Sequence, residues 1–252
     1  MKALAQHLLR LCGVFILALL ALQLYFVLRI GLMTVVDPAS TSFQRSEVVR
    51  LLVEKKQDFN WRQSWVPYSG ISVQLKRAVI ASEDAKFADH SGVEWDAIEK
   101  AWERNVKAQE KADQRNQQLE KRNVDTRIEA KLVGGSTITQ QLAKNLFLSG
   151  ERSLPRKAQE FLITGMLEAL LTKQRILEIY LNHVEWGEGV FGAQAAAQHY
   201  FGQNAAALST LSAARLAVML PAPKRFEKRP QSAYVSGRAS TVVARMGAVE
   251  VP

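Results

Sequence analysis

The run LCGVFILALLALQLYFVL, Leu11 to Leu28, carries no charge and one polar interruption, Gln23. As a helix rising about 1.5 Å per residue it covers the ~30 Å of a bilayer's hydrocarbon core. A cleaved signal peptide would have a shorter apolar region followed by a small-residue cleavage site. Here the run passes straight into Arg29, Ile30, Gly31 and Leu32. The expectation is a retained anchor, with a cytoplasmic tip and transmembrane helix over 1–33. Lys2 and Arg10 precede the span, which favours a cytoplasmic N-terminus and an exported body, although Arg29 reduces the asymmetry. In a bacterial cell that body would be periplasmic, on the inner membrane, as a single-pass protein.

A net charge of +9 calls for an anionic partner: nucleic acid, a membrane surface or a phosphorylated substrate. Export removes nucleic acid from the choice. The single cysteine, Cys12, excludes an intramolecular disulfide framework. The four histidines, His7, His90, His183 and His199, sit in no zinc-ligand spacing. Beyond the anchor, 34–70 reads as a juxtamembrane connector broken by Pro38 and Pro67, with Phe59, Trp61 and Trp65 as candidates to rest at the interface. A helical domain is expected over 71–235, followed by a tail over 236–252. Within the domain, 106–131 is so charged and so poor in large apolar residues that it reads as a solvated helix or a mobile loop. A long helix from about Pro155, rich in Phe161, Leu162, Ile163, Met166, Leu167, Leu170 and Leu171, is expected to be mostly buried. Strand signals are weak throughout, so the fold class is mainly α.

The stretch GGSTITQQLAKNLFL, from Gly134, has the form of a helix start. Ser136 is a plausible N-cap, and the two glycines let the backbone approach something closely. Ile138, Leu142, Ala143 and Leu146 share one face; Thr137, Gln140, Gln141, Lys144 and Asn145 share the other. That second face has donors and a cation but no acid, which suits a phosphate near a helix N-terminus better than ordinary solvation.

Two further segments concentrate reactive groups. EDAKFADHSG gathers Glu83, Asp84, Asp89 and His90 where an apolar helix ends, a placement that opposes the helix macrodipole and so costs stability. RSLPRKAQE gathers Arg152, Arg156 and Lys157, with Glu160 one turn beyond Arg156. An acidic surface turn and an i,i+4 surface pair are the ordinary alternatives. GEGVFG, Gly187 to Gly192, matches the spacing of a dinucleotide-binding loop, but it follows a helix rather than a buried strand. No acid occurs between Glu188 and Glu227 to hold a ribose. A tight turn with close backbone packing is the better account.

EDAKFADHSGVEW, GGSTITQQLAKNLFL, RSLPRKAQE, KQRILEIYLN and GEGVFGAQAAAQHYFG occur in order. Together they resemble the five motifs of the family 51 peptidoglycan glycosyltransferases over roughly 71–223. The resemblance implies a lysozyme-like helical glycosyltransferase domain behind one transmembrane helix, polymerising lipid II with inversion at C1 and release of undecaprenyl pyrophosphate. By match, Glu83 is the general base. Glu160 is the second catalytic carboxylate, orienting the cations or holding a divalent metal, Mg²⁺ or Mn²⁺, at the pyrophosphate. Lys144, Arg152, Arg156 and Lys157 meet the phosphates, while Asp84, His90, Thr137, Gln140 and Gln141 complete the substrate site. Partners implied are lipid II, the growing glycan chain, inner-membrane lipids and other cell-wall synthesis proteins. The interval from Asn105 to Gly134 is longer than the family pattern, and Gln203 and Ser212 replace an expected lysine and glutamate. A lysozyme-like hydrolase that cuts glycan would share the single glutamate but has no use for the cations. A non-catalytic scaffold has no use for either carboxylate.

Overall fold

The computed structural model describes residues 2–54, 60–122, 124, 126–130, 134–148, 150–151 and 153–252. In chain order the helices are α1 Lys2–Leu32, α2 Ser42–Val53, α3 Val73–Glu83, α4 Trp95–Lys121, α5 Ile138–Phe147 and α6 Leu154–Leu170, then α7 Lys173–His183, α8 Ala193–Phe201, α9 Thr210–Met219, α10 Pro223–Phe226 and α11 Ala233–Arg245. Three short strands, β1 Arg62–Gln63, β2 Glu185–Gly187 and β3 Val190–Phe191, form one mixed sheet in the order β1-β3-β2. Strands of two or three residues are too short to carry a readable alternation.

α1 contains the apolar span, a helix with mean hydropathy 2.6 over its most apolar window. Its C-terminal part is not a free tether. Phe26, Ile30 and Met33 are buried in the same core as the globular body, and Phe26 meets Phe147 edge-on at 5.2 Å. Gln23 and Gln159 of α6 exchange amide hydrogen bonds at 3.0 Å in both directions, which satisfies the one polar group of the span. Just past the helix, Arg175 of α7 donates to the carbonyls of Met33 and Val36.

The described residues of the 34–70 connector are folded into the body. α2 starts with a capping box between Thr41 and Gln44. Trp61 stacks on Phe191 with centroids 4.6 Å apart, and Trp65 lies edge-on to His183 at 5.7 Å. Each of these two half-buried tryptophans thus has a protein ring to pack against. Phe59 lies outside the described residues.

At the other end the boundary also moves. α3 and α11 pack on α9, whose Ala213, Ala214 and Ala217 are buried and allow close approach. Val235, Ala239, Val242 and Met246 are buried at helical spacing, so the expected tail is part of the core. α6 is less buried than its composition implied. Ile163, Leu167 and Leu171 face the core, whereas Leu162 and Leu170 are exposed. Leu162 follows Gln159, the partner of Gln23 in α1, by one turn. The charged 106–131 interval continues α4 as a solvated helix to Lys121, and Asn116 pins the returning chain by bonds to both the N–H and the C=O of Ile128. GEGVFG is the turn joining β2 to β3. Gly192 has φ +84°, and a Cβ there would lie 2.6 Å from the carbonyl oxygen of Asn182.

Candidate active site

Glu83 is the last residue of α3, and Asp84 caps the helix. The chain then turns back on itself. The Asp84 carboxylate is buried: Oδ2 accepts from the backbone N–H of Ile138 at 3.0 Å, and Oδ1 pairs with His90 Nε2 at 2.8 Å. His90 Nδ1 accepts from Gly92 N–H at 3.1 Å. Thr137 Oγ1 donates to the Gly92 carbonyl at 2.6 Å and accepts from Gln140 N–H at 3.2 Å. Gln140 Oε1 in turn accepts from Thr137 N–H at 3.1 Å, closing a capping box at the start of α5. The N-cap is thus Thr137, one residue beyond the expected Ser136. Gly135 lies against α4, where a Cβ would stand 3.1 Å from the Ala97 carbonyl, so the close approach expected of the glycine pair is real at the second of them.

These bonds join the end of α3 to the start of α5 and leave Glu83 pointing along the seam. They also engage polar atoms of three residues expected at the substrate site, of which Asp84 and Thr137 line a cavity beside Glu83. Asp84, His90 and Thr137 direct their polar atoms at the framework, because a turn buried between two helix ends must satisfy its own backbone.

Glu83 itself is half-buried, with Oε2 accepting from Gln141 Nε2 at 2.9 Å. Tyr180 of α7 donates to Gln141 Oε1 at 2.9 Å, which fixes the amide so that its NH₂ faces the carboxylate. Burial raises the Glu83 pKa; the Gln141 bond works against that rise and the nearby Asp84 charge adds to it. Tyr180 was not foreseen, since within EIYLN it reads as one more core residue.

α5 and α6 form the other wall. Ser136, Gln140, Gln141, Lys144, Arg156, Lys157 and Glu160 line a cavity of about 300 Å³, which Phe43 and Ser46 of α2 help to close. The apolar face of α5, with Ile138, Leu142, Ala143 and Leu146, is buried as its spacing indicated. Arg156 Nη1 lies 2.9 Å from Glu160 Oε2, and Lys157 Nζ holds Glu160 Oε1. Among the described residues, Gln140 Nε2 and Arg156 Nε are buried donors with no protein partner. Arg152 lies outside the described residues. A neighbouring cavity of about 220 Å³ contains Glu83, Ser136 and Thr137, together with Lys100 and Arg104 of α4. Ser136 lines both, so the carboxylate and the cations belong to one cleft. Lys100 and Arg104 were missed because α4 reads as uniformly charged. Phe43 and Ser46 were missed because their segment reads as a connector.

Glu160 does not offer a ready metal site, since both its oxygens are engaged by cations. Among the described residues, Asp84, His90 and Glu94 bring ligand atoms within 4.8 Å of one another. Both nitrogens of His90 are already used there, and Asp84 has each oxygen in a hydrogen bond.

A carboxylate and a cation cluster sharing one cleft, in a helical domain packed onto its own membrane helix, is a layout suited to group transfer at a membrane surface. The family model described as Transglycosylase matches residues 51–247. The chain belongs to that family, an enzyme family of peptidoglycan glycosyltransferases in cell-wall synthesis. It is 50% identical to the biosynthetic peptidoglycan transglycosylase of Herminiimonas arsenicoxydans over 253 residues, covering 100% of both chains. The same description applies to a protein of Janthinobacterium sp. (strain Marseille), 49% identical with 100% of both covered. A third, from Burkholderia thailandensis, is 52% identical over 95% of this chain and 86% of its own.

Proposed function

We propose that the protein polymerises lipid II into β-1,4-linked glycan strands at the outer face of the inner membrane, with its N-terminus in the cytoplasm. The observation that carries this reading is the pairing, in one cleft, of Glu83 held by Gln141 with the cluster Lys144, Arg156 and Lys157. Glu83, in its ionised form, takes the proton of the acceptor sugar's 4-hydroxyl as that oxygen attacks C1 of the donor. The new C–O bond forms on the face opposite the leaving group, so the anomeric centre inverts. The old C1–O bond breaks toward undecaprenyl pyrophosphate, and the proton stays on Glu83. Charge grows on the departing pyrophosphate, and preorganised cations stabilise it most where it is largest. Glu160 serves by holding Arg156 and Lys157 in place, and Gln140 lines the wall with an unused donor. A divalent ion, Mg²⁺ or Mn²⁺, would have to enter with the phosphates or displace a cation from Glu160; no step here depends on it. Other cell-wall proteins are natural partners for an enzyme whose product is an elongating strand.

A glycan hydrolase would have a neutral leaving group and no need of the cations. The discriminating experiment gives the purified full-length protein labelled lipid II and, separately, finished glycan. Polymer from lipid II is expected. Fragments from finished glycan, with no polymer, would reverse the assignment.

A further inference from the structure

Where α1 emerges, a concave surface of about 230 Å³ opens between its last turn and the start of α2. It shares no lining residue with either half of the active-site cleft. Arg29 from α1 and Arg45 from α2 line it, and among the described residues neither is paired with a carboxylate. The acid in the lining, Asp37, accepts from Arg175 Nη2 at 2.7 Å, and Arg175 is shared with Glu178, also at 2.7 Å. Two guanidinium groups against one carboxylate that is already engaged leave the cavity with a net positive charge.

Arg45 is held in position. Its Nη1 donates to Ser40 Oγ and its Nη2 to Ser42 Oγ, both at 3.0 Å. Ser40 lines the cavity and keeps its hydroxyl hydrogen for an acceptor. The height of the cavity follows from the span. At about 1.5 Å per residue, the stretch from Arg29 to Met33 lies roughly 2–8 Å beyond Leu28, the last uncharged residue, which is the headgroup layer. Exposed Leu32 and Val36 supply apolar surface at the rim, within reach of acyl chains.

We infer that this cavity binds the headgroup phosphate of an anionic phospholipid and that the lipid ties the end of α1 to α2. Guanidinium groups match phosphate oxygens in charge and in fork geometry. A zwitterionic headgroup would bring an ammonium toward the same two arginines and lose much of the gain. Interfacial arginines that merely face water also attract anionic lipid, but diffusely, so that removing any one of them costs about the same.

The test uses the full-length protein in neutral detergent, titrated with dihexanoyl phosphatidylglycerol, dihexanoyl phosphatidylcholine or inorganic phosphate, with bound species counted by native mass spectrometry. Phosphatidylglycerol should bind about tenfold more tightly than phosphatidylcholine, and excess inorganic phosphate should leave it bound. Arg29→Gln and Arg45→Gln should each weaken it roughly fivefold, the usual scale for one cation at an anionic surface. Both side chains are exposed, so either variant leaves no buried group unpaired; circular dichroism checks each fold. Arg10→Gln, at the opposite end of the span, should leave the preference intact. Equal binding of the two lipids would overturn the inference, as would an unchanged preference in both cavity variants. Equal loss in Arg10→Gln would reduce it to diffuse charge, and competition by inorganic phosphate would make it a free-anion site.

Discussion

Glu83 stands at the end of α3 with one oxygen held by Gln141, and its burial lifts its pKa above the ordinary glutamate value. A base must be ionised to act, so the rate should fall as pH drops through that raised pKa, above the usual value of 4.5. Gln141→Leu removes the bond that opposes the rise and should move this acid limb to higher pH; an unmoved limb in a pH–rate profile would separate Gln141 from the base. Glu83→Gln should keep the fold and lower turnover by roughly 10²–10⁴-fold, read as polymer formed from lipid II. A different carboxylate governs stability. Glu185 is raised from 4.5 to about 7, chiefly by burial and against the pull of Lys224, with Glu47 and Glu227 pushing it further up. A raised carboxylate binds its proton more tightly in the folded state, so its contribution to stability declines as pH rises from about 4.5 through about 7. Glu185→Gln should therefore raise the melting temperature more at pH 8 than at pH 5. At this scale the sequence named Glu83, Asp84, His90, Thr137 and Gln141 as a set, because polar residues at a helix junction break local rules. The motif resemblance singled out Glu83 as the base, but the bonds that hold it and its neighbours were not legible, since which oxygen meets which donor is fixed by residues 50 to 60 positions apart.

α5 shows what a helix contributes beyond its residues. Its capping box and the Asp84 bond to Ile138 N–H fix its start, its apolar face fixes its roll, and Lys144 and Gln141 then project into the cleft. α6 faces it with Arg156 and Lys157, braced by Glu160. If these cations stabilise developing charge, Lys144→Ala or Arg156→Ala should lower kcat at saturating lipid II by about 10²–10³-fold. Binding alone should change little. Wild-type kcat in both folded variants would return that face of α5 to simple solvation. The amphipathic pattern and the missing acid were both visible in GGSTITQQLAKNLFL. The pairing of α5 with α6 across a cavity was not, because periodicity reports a face and never its partner.

On the scale of the whole molecule, the anchor and the domain share one core. Phe26, Ile30 and Met33 are buried with the body, Gln23 is matched by Gln159, and Arg175 holds the carbonyls just past α1. Phe26→Ala should lower stability in detergent by up to about 3–5 kcal/mol, the range for deleting a buried aromatic. A variant lacking residues 1–39 should melt lower and turn over more slowly than the full chain. Unchanged values would make α1 a tether only.

The sequence by itself determined that this chain is anchored by an N-terminal helix and that its body is helical. It also supplied the family motifs and the residues that could do chemistry. Those conclusions rest on local physics: the length of an uncharged run, the spacing of apolar residues, and capping chemistry within a turn. Only the tertiary structure decided that Trp61 and Trp65 belong to the body, that the last residues complete the core, and that Phe43, Lys100, Arg104 and Tyr180 join the site. Each of those depends on a contact between segments far apart in the chain. Such contacts are set by the joint packing of helices and strands from the whole chain, which no single stretch of sequence encodes.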